Sequence, residues 1–289
     1  MEQKNSPVLQ NVVTVSSLSK RYGTRTVVDN LSFTVKSGQT LGLLGPNGAG
    51  KTTTMRMLMG LAKPTAGTAT ILGYDLRTEA KEIHRQIGVV FEKPNLFEHL
   101  SGYQNLAIFC KLYNQPLTAI KPLLERMDLW ERASEPVKVY SKGMKQRILI
   151  LRALIHRPRL LFLDEPCSGL DPVSSRIIRD YLLELKSAGL TILLTSHDME
   201  EVDELCDDIG FINHGRLIVL SDAYNLKEKY GSPLLKITYR EGHEIKERLL
   251  EPSTENLLLI RDLYREQRII SVHSQEATMA EIFRKLAET

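Results

Sequence analysis

The chain has 289 residues, 42% of them hydrophobic and 25% charged, the make-up of a water-soluble globular protein with room for about two domains. Its 38 Lys+Arg against 35 Asp+Glu leave a net charge of +3, too near neutral to point towards nucleic acid. The three cysteines, Cys110, Cys167 and Cys206, have no CxxC spacing, which argues against a disulfide scaffold or a structural zinc and fits a reducing compartment.

In chain order, the N-terminal MEQKNSPVLQ has no apolar core and no small-residue cleavage site, so no secretory signal is expected. From Val12 to Leu44 the runs VVTVS, TVVDNLSFTVK and QTLGLLG read as strands, with Ser37-Gly38 as the break between the last two. A helix is predicted from near Gly50, carrying Met55, Leu58 and Met59 at helical spacing. Thr68–Leu72, after the Pro64/Gly67 turn, and Ile87–Phe91 read as strands. From Glu92 to about Pro158 the character is helical, with Leu106, Phe109, Leu112 and Tyr113 in one stretch and Leu123, Leu124, Met127 and Leu129 in the next. Strands return at Leu160–Leu163, Thr191–Thr195 and Ile209–Ile212, with an amphipathic helix, Arg176–Lys186, between the first two.

Strands alternating with helices imply parallel pairing through crossover connections, and the block at about 92–158 looks like an insertion in that sheet. The apolar runs stay far below the roughly 18 residues of a spanning helix. Beyond about Ser221 the chain becomes more charged: LLKITYR and RIISVHS read as strands and Thr278–Ala287 as an amphipathic helix. The expected division is therefore 1–221 and a small α+β accessory domain, 222–289.

The strongest signal is Gly45-Pro46-Asn47-Gly48-Ala49-Gly50-Lys51-Thr52, a full match to G-x-x-x-x-G-K-[ST], followed by Thr53. It lies after the apolar strand Leu41–Leu44 and opens a helix, as the mechanism requires. Glycines let successive backbone N–H groups face a phosphate without Cβ obstruction, and the helix N-terminus adds its positive end. Lys51 is placed to reach the β- and γ-phosphates and the Thr52 hydroxyl to ligate Mg²⁺. A second component is Leu160-Leu161-Phe162-Leu163-Asp164-Glu165, a buried strand with two acids at its carboxyl edge, where open α/β sheets bind ligands. Asp164 is expected to hold Mg²⁺ and Glu165 to orient or deprotonate the attacking water.

Tyr140-Ser141-Lys142-Gly143-Met144-Lys145-Gln146-Arg147 precedes the acidic strand by one helix and resembles the signature motif of ATP-binding cassette (ABC) ATPases. Ser168-Gly169-Leu170-Asp171 is similar to that family's D-loop, Thr195-Ser196-His197-Asp198 to its switch histidine, and Tyr22 to the aromatic that stacks on adenine. The motifs stand in family order over roughly residues 10 to 220. The resemblance implies an α/β P-loop NTPase with a mainly parallel sheet core, an N-terminal antiparallel β subdomain and an inserted helical subdomain. It further implies ATP and Mg²⁺ as ligands, Ser141 and Gly143 closing on the γ-phosphate held by an opposite subunit, His197 contacting the γ-phosphate, and a role for Asp171 in the nucleotide site. Two departures stand out. Lys142 occupies the place of a glycine, with Met144 in place of a glutamine, and Glu92 stands where a glutamine usually senses Mg²⁺ and the water. A glutamate can still accept from water or bind Mg²⁺.

The tail ending Ala277-Thr278-Met279-Ala280-Glu281-Ile282-Phe283-Arg284-Lys285-Leu286 resembles the tails of bacterial drug, antimicrobial-peptide and sodium exporter ATPases, and Glu92 and the Tyr140–Gln146 signature look like the same subgroup. That resemblance implies a separate transmembrane permease, a second ATP-binding subunit (a homodimer) and a peripheral place on the cytoplasmic side of the membrane, touching it through the permease only. The alternative is a soluble cassette ATPase acting on ribosomes or DNA. Such relatives usually carry two cassettes or a long coiled coil, and this sequence has neither, nor any basic tract to grip a phosphate backbone.

Overall fold

The computed structural model describes residues 10–231, 234–275 and 278–287; the stretch MEQKNSPVL, on which the signal-peptide expectation rests, lies outside them. The chain divides into two compact units, Met1–Leu220 and Ser221–Thr289.

The larger unit opens with strands β1 (Asn11–Tyr22), β2 (Arg25–Lys36) and β3 (Thr40–Leu44), then helix α1 (Lys51–Leu58). Next come β4 (Ala66–Ile71), β5 (Tyr74–Asp75), α2 (Ala80–His84) and β6 (Ile87–Val90). The inserted block holds α3 (Gly102–Leu112), α4 (Ile120–Arg126) and α5 (Lys142–Leu154). The chain returns through β7 (Leu160–Asp164), α6 (Pro172–Ser187), β8 (Thr191–Ser196), α7 (Met199–Leu205), β9 (Asp208–Asn213) and β10 (Arg216–Ser221).

Two sheets form this unit. The first, β2-β1-β4-β5, pairs antiparallel throughout. The second has the order β10-β9-β3-β8-β7-β6, and its strands from β9 to β6 pair in parallel. Every residue of β3, β7 and β8 is buried, which is why these strands read as unbroken apolar runs rather than as alternating ones: a parallel sheet is covered on both faces. Register decides what meets at the carboxyl edge. Asp164 pairs with Thr195 across β7 and β8, and Leu44 pairs with Ser196 across β3 and β8.

Helical structure is not continuous from Glu92. The stretch 92–101 is a loop, and α3 starts only at Gly102. Pro94 disfavours helix in the residue before it. Ser101 then begins the helix with a capping box: its Oγ accepts from the Gln104 N–H and the Gln104 side chain accepts from the Ser101 N–H. Buried Asn105 fastens the loop to α3, accepting from the Phe97 N–H and donating to the Phe97 and Ser101 carbonyls. The helix read at Arg176–Lys186 begins four residues earlier, because Asp171 caps it and Pro172 takes the first helical position.

The smaller unit contains α8 (Ala223–Tyr230), β11 (Leu234–Glu241), β12 (Glu244–Leu250), α9 (Thr254–Arg265), β13 (Ile269–Gln275) and α10 (Met279–Ala287). Its antiparallel sheet, β12-β11-β13, packs Ile237 and Tyr239 against Leu263 of α9. Three of these elements, α8, β12 and α9, have no counterpart in the sequence reading. Strand β12 is exposed at all positions but its last, so it lacks the apolar alternation that marks a half-buried strand.

Candidate functional site

The loop 45–50 carries the chain from the carboxyl end of β3 into α1. Gly50, with φ +108°, takes a conformation closed to other residues, and a Cβ there would stand 2.8 Å from the Val27 carbonyl oxygen. The loop can therefore turn this tightly only with glycine at that point. Lys51 is 6% exposed. Its ammonium donates to the Gly45 carbonyl at 2.6 Å and the Pro46 carbonyl at 3.3 Å, and lies 3.8 Å from a Glu165 carboxylate oxygen. Burial pulls the Lys51 ammonium below its usual range, against the opposing pull of Glu165 and Asp164.

The β7 acids diverge by environment. Asp164, 4% exposed, accepts through Oδ1 from the Thr195 hydroxyl at 2.6 Å and from the Thr52 hydroxyl at 3.3 Å. Glu165 has φ +52°, a conformation that costs a branched or long side chain about a kcal/mol or more and clusters at functional sites. Its N–H is pinned by both the carbonyl and the hydroxyl of Thr195, each at 3.1 Å. The result is that its carboxylate projects from the strand end towards His197, whose Nδ1 lies 2.6 Å from Glu165 Oε2.

A cavity of about 400 Å³ collects Tyr22, Asn47 through Thr53, Glu92, Glu165 and His197. Tyr22 is 52% exposed at the end of β1, with the Lys20 ammonium 4.8 Å from its ring centre. Glu92 also borders the adjoining cavity shared by Thr52 and Asp164. Gly45 and Pro46 close the loop from below as the acceptors of Lys51. Ser141, Gly143 and Asp171 are not among the lining residues of either cavity. They form a second cluster. Ser141 caps α5 by accepting from the Met144 N–H, and Asp171 caps α6 by accepting from the Ser174 N–H. A Cβ on Gly143 would meet Ser174 Oγ at 2.1 Å, so glycine lets the first turn of α5 press against α6. Lys142 does not stand free in solvent: its ammonium donates to the Ser168 carbonyl at 2.6 Å.

Sequence reasoning missed two members of the site. Thr195 reads from sequence only as a strand residue beside the switch histidine, yet its hydroxyl joins Asp164 to the Glu165 backbone; a hydroxyl after the apolar run Ile192–Leu194 is the available signal. Arg25 lines the main cavity, and nothing in its β-rich surroundings marked it.

The site can do the following chemistry. Loop amides and Lys51 favour a polyphosphate. Thr52 and Asp164 are hard oxygen donors held 3.3 Å apart, a donor set that fits Mg²⁺ completed by phosphate oxygens rather than an all-protein metal cage. Glu92 contributes a carboxylate where an amide would serve equally as acceptor. Glu92→Gln should therefore retain most of its ATP turnover in a phosphate-release assay, and a dead Glu92→Gln would show that the charge itself is needed.

A family model described as "ABC transporter" matches residues 28–168. The fluoroquinolones export ATP-binding protein of Mycobacterium tuberculosis is 38% identical over 277 residues, 94% of this chain and 92% of that protein. The Nod factor export ATP-binding protein I of Ralstonia nicotianae is 43% identical over 219 residues, 74% of this chain and 68% of that one. Among solved structures, cbiO1 from Clostridium perfringens, part of the ABC transporter complex cbiONQ, superposes with a TM-score of 0.69 at 27% identity, covering 76% of this chain and 92% of its own.

Proposed function

The chain belongs to the ABC transporter family as an ATP-binding subunit of the exporter type, and from that premise we propose that it hydrolyses ATP to ADP and phosphate to drive export through a separate membrane permease. The observation that carries the reading is the convergence on one cavity wall of Lys51, Glu165 and His197, which come from three separate segments. Among the described residues no helix is long and apolar enough to cross a membrane, so the conduit is assigned to another polypeptide. We place the chain on the cytoplasmic face of the membrane, in contact with it through that permease.

In the proposed reaction Tyr22 stacks on the adenine. The amides of residues 45–53 and Lys51 bind the phosphates. Thr52 and Asp164 hold Mg²⁺, which when bound supplies charge neutralisation on the phosphate oxygens. Thr195 keeps the Asp164 carboxylate aimed at Thr52. Glu165 accepts a proton from the attacking water, and His197, at hydrogen-bond distance from Glu165, fixes that carboxylate and reaches the γ-phosphate. Charge spread over the γ-phosphoryl oxygens in the transition state is met by Lys51 and the loop amides rather than by covalent chemistry.

The Ser141 and Gly143 cluster completes the site from a second copy of the chain. A two-fold pair would contain two equivalent sites, each built from both chains. Mixing Lys51→Ala chains with Ser141→Arg chains tests this. In the mixed dimer both defects fall on one site, so the other keeps an intact Lys51 and an intact partner Ser141. ATPase activity should return on mixing two individually inactive preparations. Full-rate hydrolysis by chains that stay monomeric in ATP would overturn the shared site.

A further inference from the structure

Among the described residues the His197 imidazole is held by one side chain, that of Glu165, and it is 55% exposed. Packing therefore does not aim this imidazole; the backbone on either side of it must. That backbone is held by a closed ring of hydrogen bonds. The Ser196 hydroxyl donates to Glu201 Oε2 at 2.5 Å and accepts from the Asp198 N–H at 2.9 Å. Asp198 Oδ1 in turn accepts from the Glu200 N–H at 2.9 Å and from the Glu201 N–H at 3.3 Å, which closes the ring on the residue where it began. His197 sits between the two residues the ring fixes.

A glutamate at the third position of a helix commonly reaches back to the capping residue at the surface. Glu201 departs from that pattern in two ways. Its carboxylate passes over the capping residue to take the hydroxyl of Ser196, the last residue of β8, and it is 1% exposed. Burying a carboxylate costs far more than a surface cap returns, and burial raises the Glu201 carboxyl above its ordinary range. Glu165 is among the charges that act on it, so the ring lies within the electrostatic reach of the proposed base.

We propose that Glu201 is a positioning residue for hydrolysis, which sets the presentation of His197 to Glu165 through Ser196. This rests on the reading of Glu165 and His197 given above. A misplacement of about 1 Å of an aligned group costs up to about 10²-fold in rate. Glu201 is not among the residues lining the nucleotide cavity, so its removal should appear in kcat and not in the KM for ATP.

The test is steady-state phosphate release by the full chain, varying ATP, for Glu201→Ala, Glu201→Gln, Ser196→Ala, His197→Ala and the double variant Glu201→Ala/His197→Ala. Glu201→Ala should lower kcat about tenfold or more with KM little changed. Glu201→Gln, whose amide oxygen can still accept from Ser196, should restore most of kcat. Ser196→Ala, which breaks the same ring by losing only a hydroxyl, should reproduce the alanine effect and serves if Glu201→Ala folds poorly. The double variant should be no slower than His197→Ala. Wild-type kcat in Ser196→Ala and Glu201→Ala, or a further multiplicative loss in the double variant, would overturn the positioning role. Wild-type kcat in His197→Ala would instead overturn the reading of the site on which it depends.

Discussion

Glu165→Gln should bind ATP and lose nearly all turnover. The amide fills the same volume and keeps the strand end intact, since the contacts that hold this φ +52° residue run from its backbone N–H to Thr195. What changes is chemistry: an amide cannot take the proton of the attacking water, and it gives up the negative charge that faces Lys51 at 3.8 Å. Loss of a positioned general base typically costs about 10²–10⁴-fold. Phosphate release under saturating ATP reads the loss, and a nucleotide titration confirms that binding persists. Turnover within about threefold of the unmodified chain would remove Glu165 from the role of base. In the same variant ATP should promote dimers that persist, because hydrolysis no longer releases them.

Lys51→Ala should act at the earlier step and weaken binding of the nucleotide itself. The ammonium is buried beneath the loop, and its two carbonyl acceptors, Gly45 and Pro46, belong to the loop that would cradle the phosphates. Removing it leaves Asp164 and Glu165 beside the phosphate site without their nearby cation, so the local field turns against an anion. A hydrogen bond to a charged group contributes about 1.5–3 kcal/mol. That corresponds to roughly 10- to 100-fold in Kd. An unchanged ATP affinity in a binding titration would contradict the assignment. The two variants separate cleanly: one binds ATP as before and does not turn over, the other binds it more weakly.

Parts of this protein were legible because the relevant chemistry is contiguous in the chain. The phosphate loop is eight consecutive residues between an apolar strand and a helix, and its local backbone needs, such as the φ +108° of Gly50, are met within that span. The acids at 164 and 165 follow an apolar run that ends where the strand ends. Both features state their geometry through neighbours in sequence. In the small C-terminal unit β11, β13 and α10 are legible, but β12 is not, since it exposes nearly all its residues and so carries no alternation to read.

What tertiary structure alone decided is which of these pieces meet. Glu165 and His197 lie 32 residues apart, and their 2.6 Å approach depends on parallel pairing that sets Asp164 opposite Thr195 and Ser196 opposite Leu44. A shift of one residue in that register would turn the Thr195 hydroxyl away from Asp164, because neighbouring side chains on a strand point to opposite faces. Helix packing, not strand pairing, gathers Ser141, Gly143 and Asp171 at the first turns of α5 and α6, apart from the cavity that holds Lys51. Sequence by itself determined the local devices, a phosphate loop, an acidic strand end and a set of helix caps. Their convergence was decided by sheet register and burial, since these join residues that the chain keeps far apart.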